Sequence, residues 1–313
     1  MIPHLGAYYR PDRLSAALAL LASAPQARVL AGGTDLLLGS ERLDAVVDIT
    51  HLGLGGMREE DDALLLGATL RVEELLHAPA AHAWADGVLV GACLNFGTLQ
   101  VRNMATVGGN VAHALPAADL VAALIALDAE ARLARAGPQG GIRWRTLPVA
   151  AIATAPFATC IEPAELIAEV RVPARARARR AQFRKIGRVV KDLAQVNCAV
   201  ALDLEGERVR EARIVVGAVH PTVTRVPTAE VELHGADTRG AEWRARVARA
   251  VSALRDFIQP ITDTRATREW RRHVCGVLVR RSLEWVADPS TRGRVPRYED
   301  GPLYRVGVRE ARR

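Results

Sequence analysis

"FGTLQVRNMATVGGNVAHALPAADL", residues 96–120, sets a Gly-Gly pair, an Arg-Asn, a His and a Pro-led acidic residue among small, weakly charged neighbours. Glycines in such a span let backbone N–H groups approach an oxyanion with no Cβ in the way. "LAGGTDLL", residues 30–37, repeats the device after a short apolar run. Two loops of this kind can share one diphosphate, because neutral backbone donors bind its charges without a metal. Neither loop is a GxxxxGK[ST] or a GxGxxG opening a helix after the first strand, so the usual nucleotide fingerprints are excluded.

Around these loops lies a chain of 313 residues, 50% hydrophobic and 25% charged, long enough for two or three domains with real cores. No apolar run reaches the roughly 18 residues that span a bilayer. The opening "MIPHLGAYYRPDRL" lacks the basic-then-apolar order of a secretory signal, so the expected location is cytoplasmic. Cys93, Cys160, Cys198 and Cys275 are widely spaced with no CxxC, which writes neither a disulfide framework nor an iron–sulfur or other metal site. The net charge of +7 concentrates in "RVPARARARRAQFRK", residues 171–185, which has seven cations, no acid and one aromatic. Without stacking platforms it does not read as a nucleic-acid site. It reads as a solvated connector.

Leu14, Leu18 and Leu21 give residues 11–25 an amphipathic helical face closed by Pro25. Residues 28–31, 44–50 and 63–70 read as buried strands, residues 71–81 as helix, and residues 121–137 as a helix passing into a strand. "GPQGG", residues 137–141, is a turn, and "ELIAEVRVPA", residues 165–174, is an alternating strand. Two alternating runs flank Glu205-Gly206-Glu207 as a hairpin, and two helices follow over residues 241–258 and 266–287. The pattern predicts a mixed first half and an α+β unit from about residue 178, with a tail from Asp288.

"LAGGTDLL", "QVRNMATVGGNVAHALPAAD" ending at Asp119, and "FRKIGRVVKDLAQVNCAVAL" from Phe183 resemble the three signature segments of the FAD-binding (medium) subunit of molybdenum hydroxylases. That family includes carbon monoxide dehydrogenase, bacterial xanthine and nicotine dehydrogenases and 4-hydroxybenzoyl-CoA reductase. The resemblance spans about residues 1–285 in order. It implies an α+β fold: a p-cresol-methylhydroxylase-type FAD domain in two lobes, residues 1–55 and 56–175, a C-terminal domain over 178–287 and an extension over 288–313.

The resemblance also implies roles. The FAD diphosphate would lie on the backbone of Val29, Leu30, Ala31, Gly32, Gly33, Thr34, Asp35 and Leu36 and on that of Thr106, Val107, Gly108, Gly109 and Asn110. Phe96 would stand near the flavin or adenine rings, or serve as an ordinary core aromatic; Asp119 would meet a cofactor hydroxyl, or cap the helix that begins there. Ile167 would contact the cofactor through its main chain. Lys185, with Arg184 as the other candidate, would place a cation at the flavin's N1–C2=O edge; the bland alternative is a solvated charge. His113 reads as a hydrogen-bonding structural residue, and no catalytic residue or metal ligand is expected in this chain.

By the same resemblance, substrate oxidation would occur at a molybdenum–pterin centre in a large partner subunit. Electrons would pass through [2Fe–2S] clusters in a small one, within a dimer of heterotrimers. The missing cysteine cluster departs from the reductase branch, and "AGGTDLL" departs from the "AGGxSLxP" loop of the carbon monoxide branch, which favours a xanthine-like, nicotine-like or other heterocycle hydroxylase. The competing readings are a free-standing FAD oxidoreductase of the same fold and a flavin-free binding protein.

Overall fold

Leu18 and Leu21 turn inward from helix α1 (Leu14–Ser23) onto a three-stranded parallel sheet, ordered β1 (Leu5–Tyr9), β3 (Leu43–Asp48), β2 (Ala27–Leu30). The computed structural model describes residues 5–39, 42–189 and 191–294. The predicted helix is shorter than residues 11–25, and Pro25 stands just beyond its end.

A five-stranded antiparallel sheet follows, ordered β4 (Met57–Glu60), β5 (Ala63–Gly67), β10 (Glu165–Pro173), β6 (Glu130–Ala136), β7 (Ile142–Pro148). Beside it lie α2 (Val72–His77), α3 (Pro79–Ala83), α4 (Val88–Asn95), α5 (Leu99–Arg102), α6 (Val107–Ala112) and α7 (Asp119–Ala126); β8 (Ala153–Ala155) and β9 (Ala158–Thr159) form a small separate pair. The helix expected over residues 71–81 is split at Pro79, because proline has no N–H and Ala78 before it takes extended backbone, ψ 123°. α7 has buried residues at all eight positions, which explains its uninterrupted apolar sequence.

The remaining chain builds a four-stranded antiparallel sheet, β11 (Arg180–Ile186), β12 (Val196–Glu205), β13 (Arg208–Gly217) and β14 (Thr224–Arg225), with helices α8 (Pro227–Glu230), α9 (Trp243–Phe257) and α10 (Arg268–Ala287). The β12–β13 turn contains Gly206 at φ +63°, as the hairpin signal requires. Along β12, Cys198, Val200 and Leu202 pack with α9 and α10, whereas Ala199 and Ala201 join the core of the five-stranded body. This sheet is therefore buried on both faces, with small side chains on one and larger ones on the other.

The basic stretch is not a solvated connector. Its first residues finish β10 and its last form β11, and Arg179 and Arg180 are buried. Arg179 Nη2 donates to Asp128 Oδ2 at 2.6 Å, and Arg180 Nε to Asp86 Oδ2 at 2.7 Å. Both aspartates sit in left-handed backbone, Asp128 at φ 54° and Asp86 at φ 52°. Aspartate tolerates that conformation better than most residues. Arg213 Nε also reaches Asp128 at 2.8 Å, so one half-buried acid holds the residue before β11 and the strand β13 against the body that contains α7. Residues 288–294 continue from α10 and supply Thr291 Oγ1 and the Asp288 carbonyl to Arg180; the rest of the expected extension, 295–313, lies outside the described residues.

Candidate cofactor-binding site

β2 ends at Leu30, and residues 31–35 then leave the sheet beside the segment that precedes α6. Gly32 makes that approach possible: an added Cβ would stand 2.0 Å from the Met104 carbonyl oxygen. Gly33 takes φ +69°, turning the chain back toward its short 3-10 turn Leu36–Leu38. The turn uses the amides of Leu37 and Leu38, bonded to the Gly33 and Asp35 carbonyls. Among the described residues, the amides of Gly32, Gly33, Thr34 and Asp35 have no acceptor. Four successive half-buried or exposed donors without partners are the arrangement a backbone anion site requires.

The second Gly-Gly pair is built differently. Val107 N donates to Leu70 O at 2.9 Å, Gly108 N to Ala68 O at 2.8 Å, Gly109 N to Thr106 Oγ1 at 3.2 Å and Asn110 N to Thr106 O at 2.9 Å. All four amides of this loop are committed inside the protein. Thr106 is the N-cap of α6, and Gly108 lets α6 pack on the end of β5, where a Cβ would lie 2.6 Å from that of Ala68. What remains uncommitted is Asn110 Oδ1, buried without a partner, as is Thr69 Oγ1. Buried polar atoms left unpaired cost free energy, and Asn110 lies one helical turn before His113, the residue that reaches the first loop.

His113 ties the two loops, with Nε2 3.3 Å from Asp35 Oδ1 and its ring edge-on to Phe157. The other oxygen of that carboxylate accepts from Thr34 Oγ1 at 3.3 Å within the loop. Ala68 connects a third segment: its amide donates to the Ala168 carbonyl at 2.9 Å, within a β-bulge between Ile167 and Glu169. Ile167 thus places its backbone at a local break in the ladder, while its side chain enters the core. Val29 and Leu30 are ladder residues of β2, and Leu36 starts the 3-10 turn.

Phe96 ends α4, is half-buried and packs on the main core. Arg102 holds its loop, donating from Nη1 to the Phe96 and Gly97 carbonyls at 3.3 Å each and from Nε to Glu73 at 2.5 Å. Lys191 Nζ donates to the Leu94 carbonyl and Lys185 Nζ to that of Asn95 at 2.7 Å. Two lysines therefore cap the last carbonyls of α4 and Arg102 holds the two just beyond them, at a helix end whose dipole favours positive charge. Burial holds the Lys191 ammonium below the usual lysine range, and nearby Arg102 and Lys185 push it the same way. Arg102 and Lys191 went unassigned in the sequence; their signal was their position inside two of the quoted segments.

Asp119 does not cap its helix. Ala118 occupies the N-cap position and Asp119 is the first helical residue. Its Oδ2 accepts from Lys185 at 2.6 Å and its Oδ1 from Asn197 Nδ2 at 2.8 Å. Burial pushes this carboxyl up from the usual range, against the pull of Lys185 and Asn197. Lys185 is likewise not a solvated charge, with 3% of its side chain exposed. Strand alternation separates the two cations of the third segment: Phe183 and Lys185 face the α4 and α7 body, whereas Arg184 turns the other way, its guanidinium 5.7 Å from the Trp285 ring of α10.

Comparison with known proteins agrees with this geometry. The family model "FAD binding domain in molybdopterin dehydrogenase" matches residues 4–175, and that of the "CO dehydrogenase flavoprotein C-terminal domain" matches residues 181–286. The carbon monoxide dehydrogenase medium chain of Hydrogenophaga pseudoflava is 31% identical over 90% of this chain and 97% of its own length. A putative xanthine dehydrogenase FAD-binding subunit of Escherichia coli K12 is 28% identical over 88% and 94%. The solved structure of the H. pseudoflava carbon monoxide dehydrogenase lacking the Mo-pyranopterin moiety superposes with a TM-score of 0.83 at 32% identity, covering 92% of this chain and 99% of that one. Relatives from the carbon monoxide and xanthine branches match at similar identity, so identity alone assigns no branch. Together the two domain matches, the near full-length relatives and the shared fold show that the chain belongs to the FAD-binding subunits of the molybdenum hydroxylase family.

Proposed function

We propose that this chain is the electron-transfer subunit of a multi-subunit molybdenum hydroxylase, carrying FAD between [2Fe–2S] clusters of a small partner and an external acceptor. A large partner would hold the molybdenum–pterin centre where substrate is oxidised, and the complex would be a cytoplasmic dimer of heterotrimers. No described helix is long and apolar enough to cross a membrane.

The row of unpartnered amides from Gly32 to Asp35 carries the reading, and the orphaned Asn110 Oδ1 of α6 supports it. The residues present fit a dinucleotide cofactor: the amides suit a diphosphate, the Thr34 hydroxyl, which donates to Asp35 in the free chain, belongs to the same loop, and Asn110 Oδ1 lacks a partner. When bound, FAD supplies a carrier that takes up and releases one or two electrons. In this arrangement the first loop binds the anion, while the second, with its amides used internally, acts as the rigid wall against which the first is held. Phe96 is presented at the ring end by Arg102, and the backbone at Ile167 lines the third side. Lys185 acts behind Asp119, fixing the carboxylate's orientation toward a cofactor hydroxyl. We treat residues 1–55 and 56–175 as the two lobes of this cofactor-binding unit and 178–287 as the domain that closes it.

The test is flavin content and assembly. The purified chain, or the apoprotein mixed with FAD, is expected to show the flavin absorption bands at one FAD per chain. Expression with neighbouring subunit genes is expected to give a complex containing molybdenum and iron. A colourless protein that takes up no FAD overturns the cofactor assignment; a lone chain that oxidises substrate unaided overturns the relay role and favours the free-standing oxidoreductase.

A further inference from the structure

The C-terminal end of α9 and the first turns of α10 border an open surface cleft of about 280 Å³ lined by Arg255, Arg268, Glu269, Arg272 and His273. Three guanidinium groups and an imidazole face one carboxylate, so the lining carries an excess of positive charge. Arg272 is fixed by the fold, donating to the Arg255 and Ile258 carbonyls at the end of α9. Its place there is explained by the helix terminus alone. Arg255 and Arg268 are not: among the described residues neither pairs with a carboxylate, and no side-chain acceptor reaches either.

Arg255 is the more telling of the two. It is half-buried, its guanidinium lies against Gly276 of α10, where an added Cβ would stand 2.7 Å from Nε, and its Nε is buried with no partner. Gly276 leaves room for this cation in the helix crossing, yet among the described residues no carboxylate, Glu269 included, comes within ion-pair distance of it. A partly desolvated guanidinium without an acceptor is costly, and its planar array of donors suits an oxyanion. Arg268 and His273 lie five residues apart on α10 and both line the cleft. The volume lies at or just below the small end of ligand pockets, which limits the occupant to one small group.

We propose that this cleft binds a phosphate-class oxyanion, held by Arg255 and Arg268 with His273 as an added donor, at a site separate from the two glycine loops. The anion is either free in solution or the phosphate monoester of a small metabolite.

Calorimetric titration of the purified chain with inorganic phosphate, at fixed ionic strength set by chloride, tests the site. Saturable binding that weakens about tenfold in Arg268→Ala is expected, since a charge-assisted bond from an exposed residue is lost without disturbing a core. Arg255→Met is expected to weaken it further; if that variant does not fold, Arg268→Ala alone decides. Ribose 5-phosphate binding more tightly than phosphate identifies a phosphate monoester, and equal binding identifies the free anion. Phosphate that behaves as chloride does, or binding that survives Arg268→Ala and is lost in Asn110→Ala, overturns the site.

Discussion

Lys185 Nζ stands 2.6 Å from Asp119 Oδ2, with 3% and 7% of the two side chains exposed. The pair joins β11 to the first turn of α7, and neither charge has water to fall back on. Removing one partner of a buried pair costs about 3–5 kcal/mol, while replacing both by apolar groups costs far less. Lys185→Met is therefore expected to lose about that much unfolding free energy in urea, and Lys185→Met combined with Asp119→Leu to recover more than half of it. Additive losses in the double variant would show that the two residues do not act as a pair.

The Asp128 junction predicts a pH dependence. Burial raises its carboxyl pKa, but the bonds from Arg213 and Arg179 outweigh burial and hold it below the usual carboxylate range. A carboxyl with a lowered folded pKa contributes its full stability above the unfolded value, about 3.9, and loses it as pH falls through the folded value. Acidification below about pH 4 should therefore destabilise the native protein more steeply than Asp128→Asn, which starts less stable at pH 7. Parallel curves from urea unfolding at each pH would contradict this assignment.

The two glycines of the first loop should separate on substitution. Gly32→Ala drives a Cβ into the Met104 carbonyl and is expected to lower thermal stability and abolish FAD retention together. Gly33→Ala meets mainly the Leu37 and Leu30 side chains and a left-handed backbone, a strain of about 1–2 kcal/mol. It should fold and bind FAD more weakly. Flavin fluorescence quenching alongside a melting curve distinguishes the two; equal damage would mean that the close approach at Gly32 is not what sets the loops.

Asn110 should give opposite signs in two assays. Its Oδ1 has no acceptor role in the free protein, so Asn110→Ala should leave apoprotein stability unchanged or slightly raised. FAD affinity should fall by about tenfold, the worth of one good hydrogen bond from a hydroxyl or N–H of the cofactor to Oδ1. A variant that binds FAD normally removes Asn110 from the site.

Much of the architecture could be read from periodicity, because α1, the β12–β13 hairpin, α9 and α10 each bury one face or alternate cleanly. The glycine loops could also be located, but not their division of labour. Which amides remain available depends on Leu70, Ala68 and Thr106, and only the last belongs to the loop itself. Arg179 and Arg180 looked solvated because charge density along the chain suggests exposure, whereas their partners Asp128 and Asp86 lie 51 and 94 residues upstream. Asp119 resembled a helix cap for the same reason: its real partners, Lys185 and Asn197, come from strands formed much later in the chain. Ionic pairing across long sequence separations leaves no periodic trace.

The β12 strand carries small residues toward α7 and larger ones toward α10, so its alignment is checked from two sides at once. Slipping it by one residue would press Val200 and Leu202 into the space shaped for Ala199 and Ala201 and leave alanine-sized gaps under the helices. Crowding on one side and hollowness on the other would arise together. An insertion or deletion inside β12 should thus be refused, whereas the exposed turn at Gly206 should accept one, which makes that hairpin tip the natural place to attach a label or linker without disturbing the cofactor-binding body.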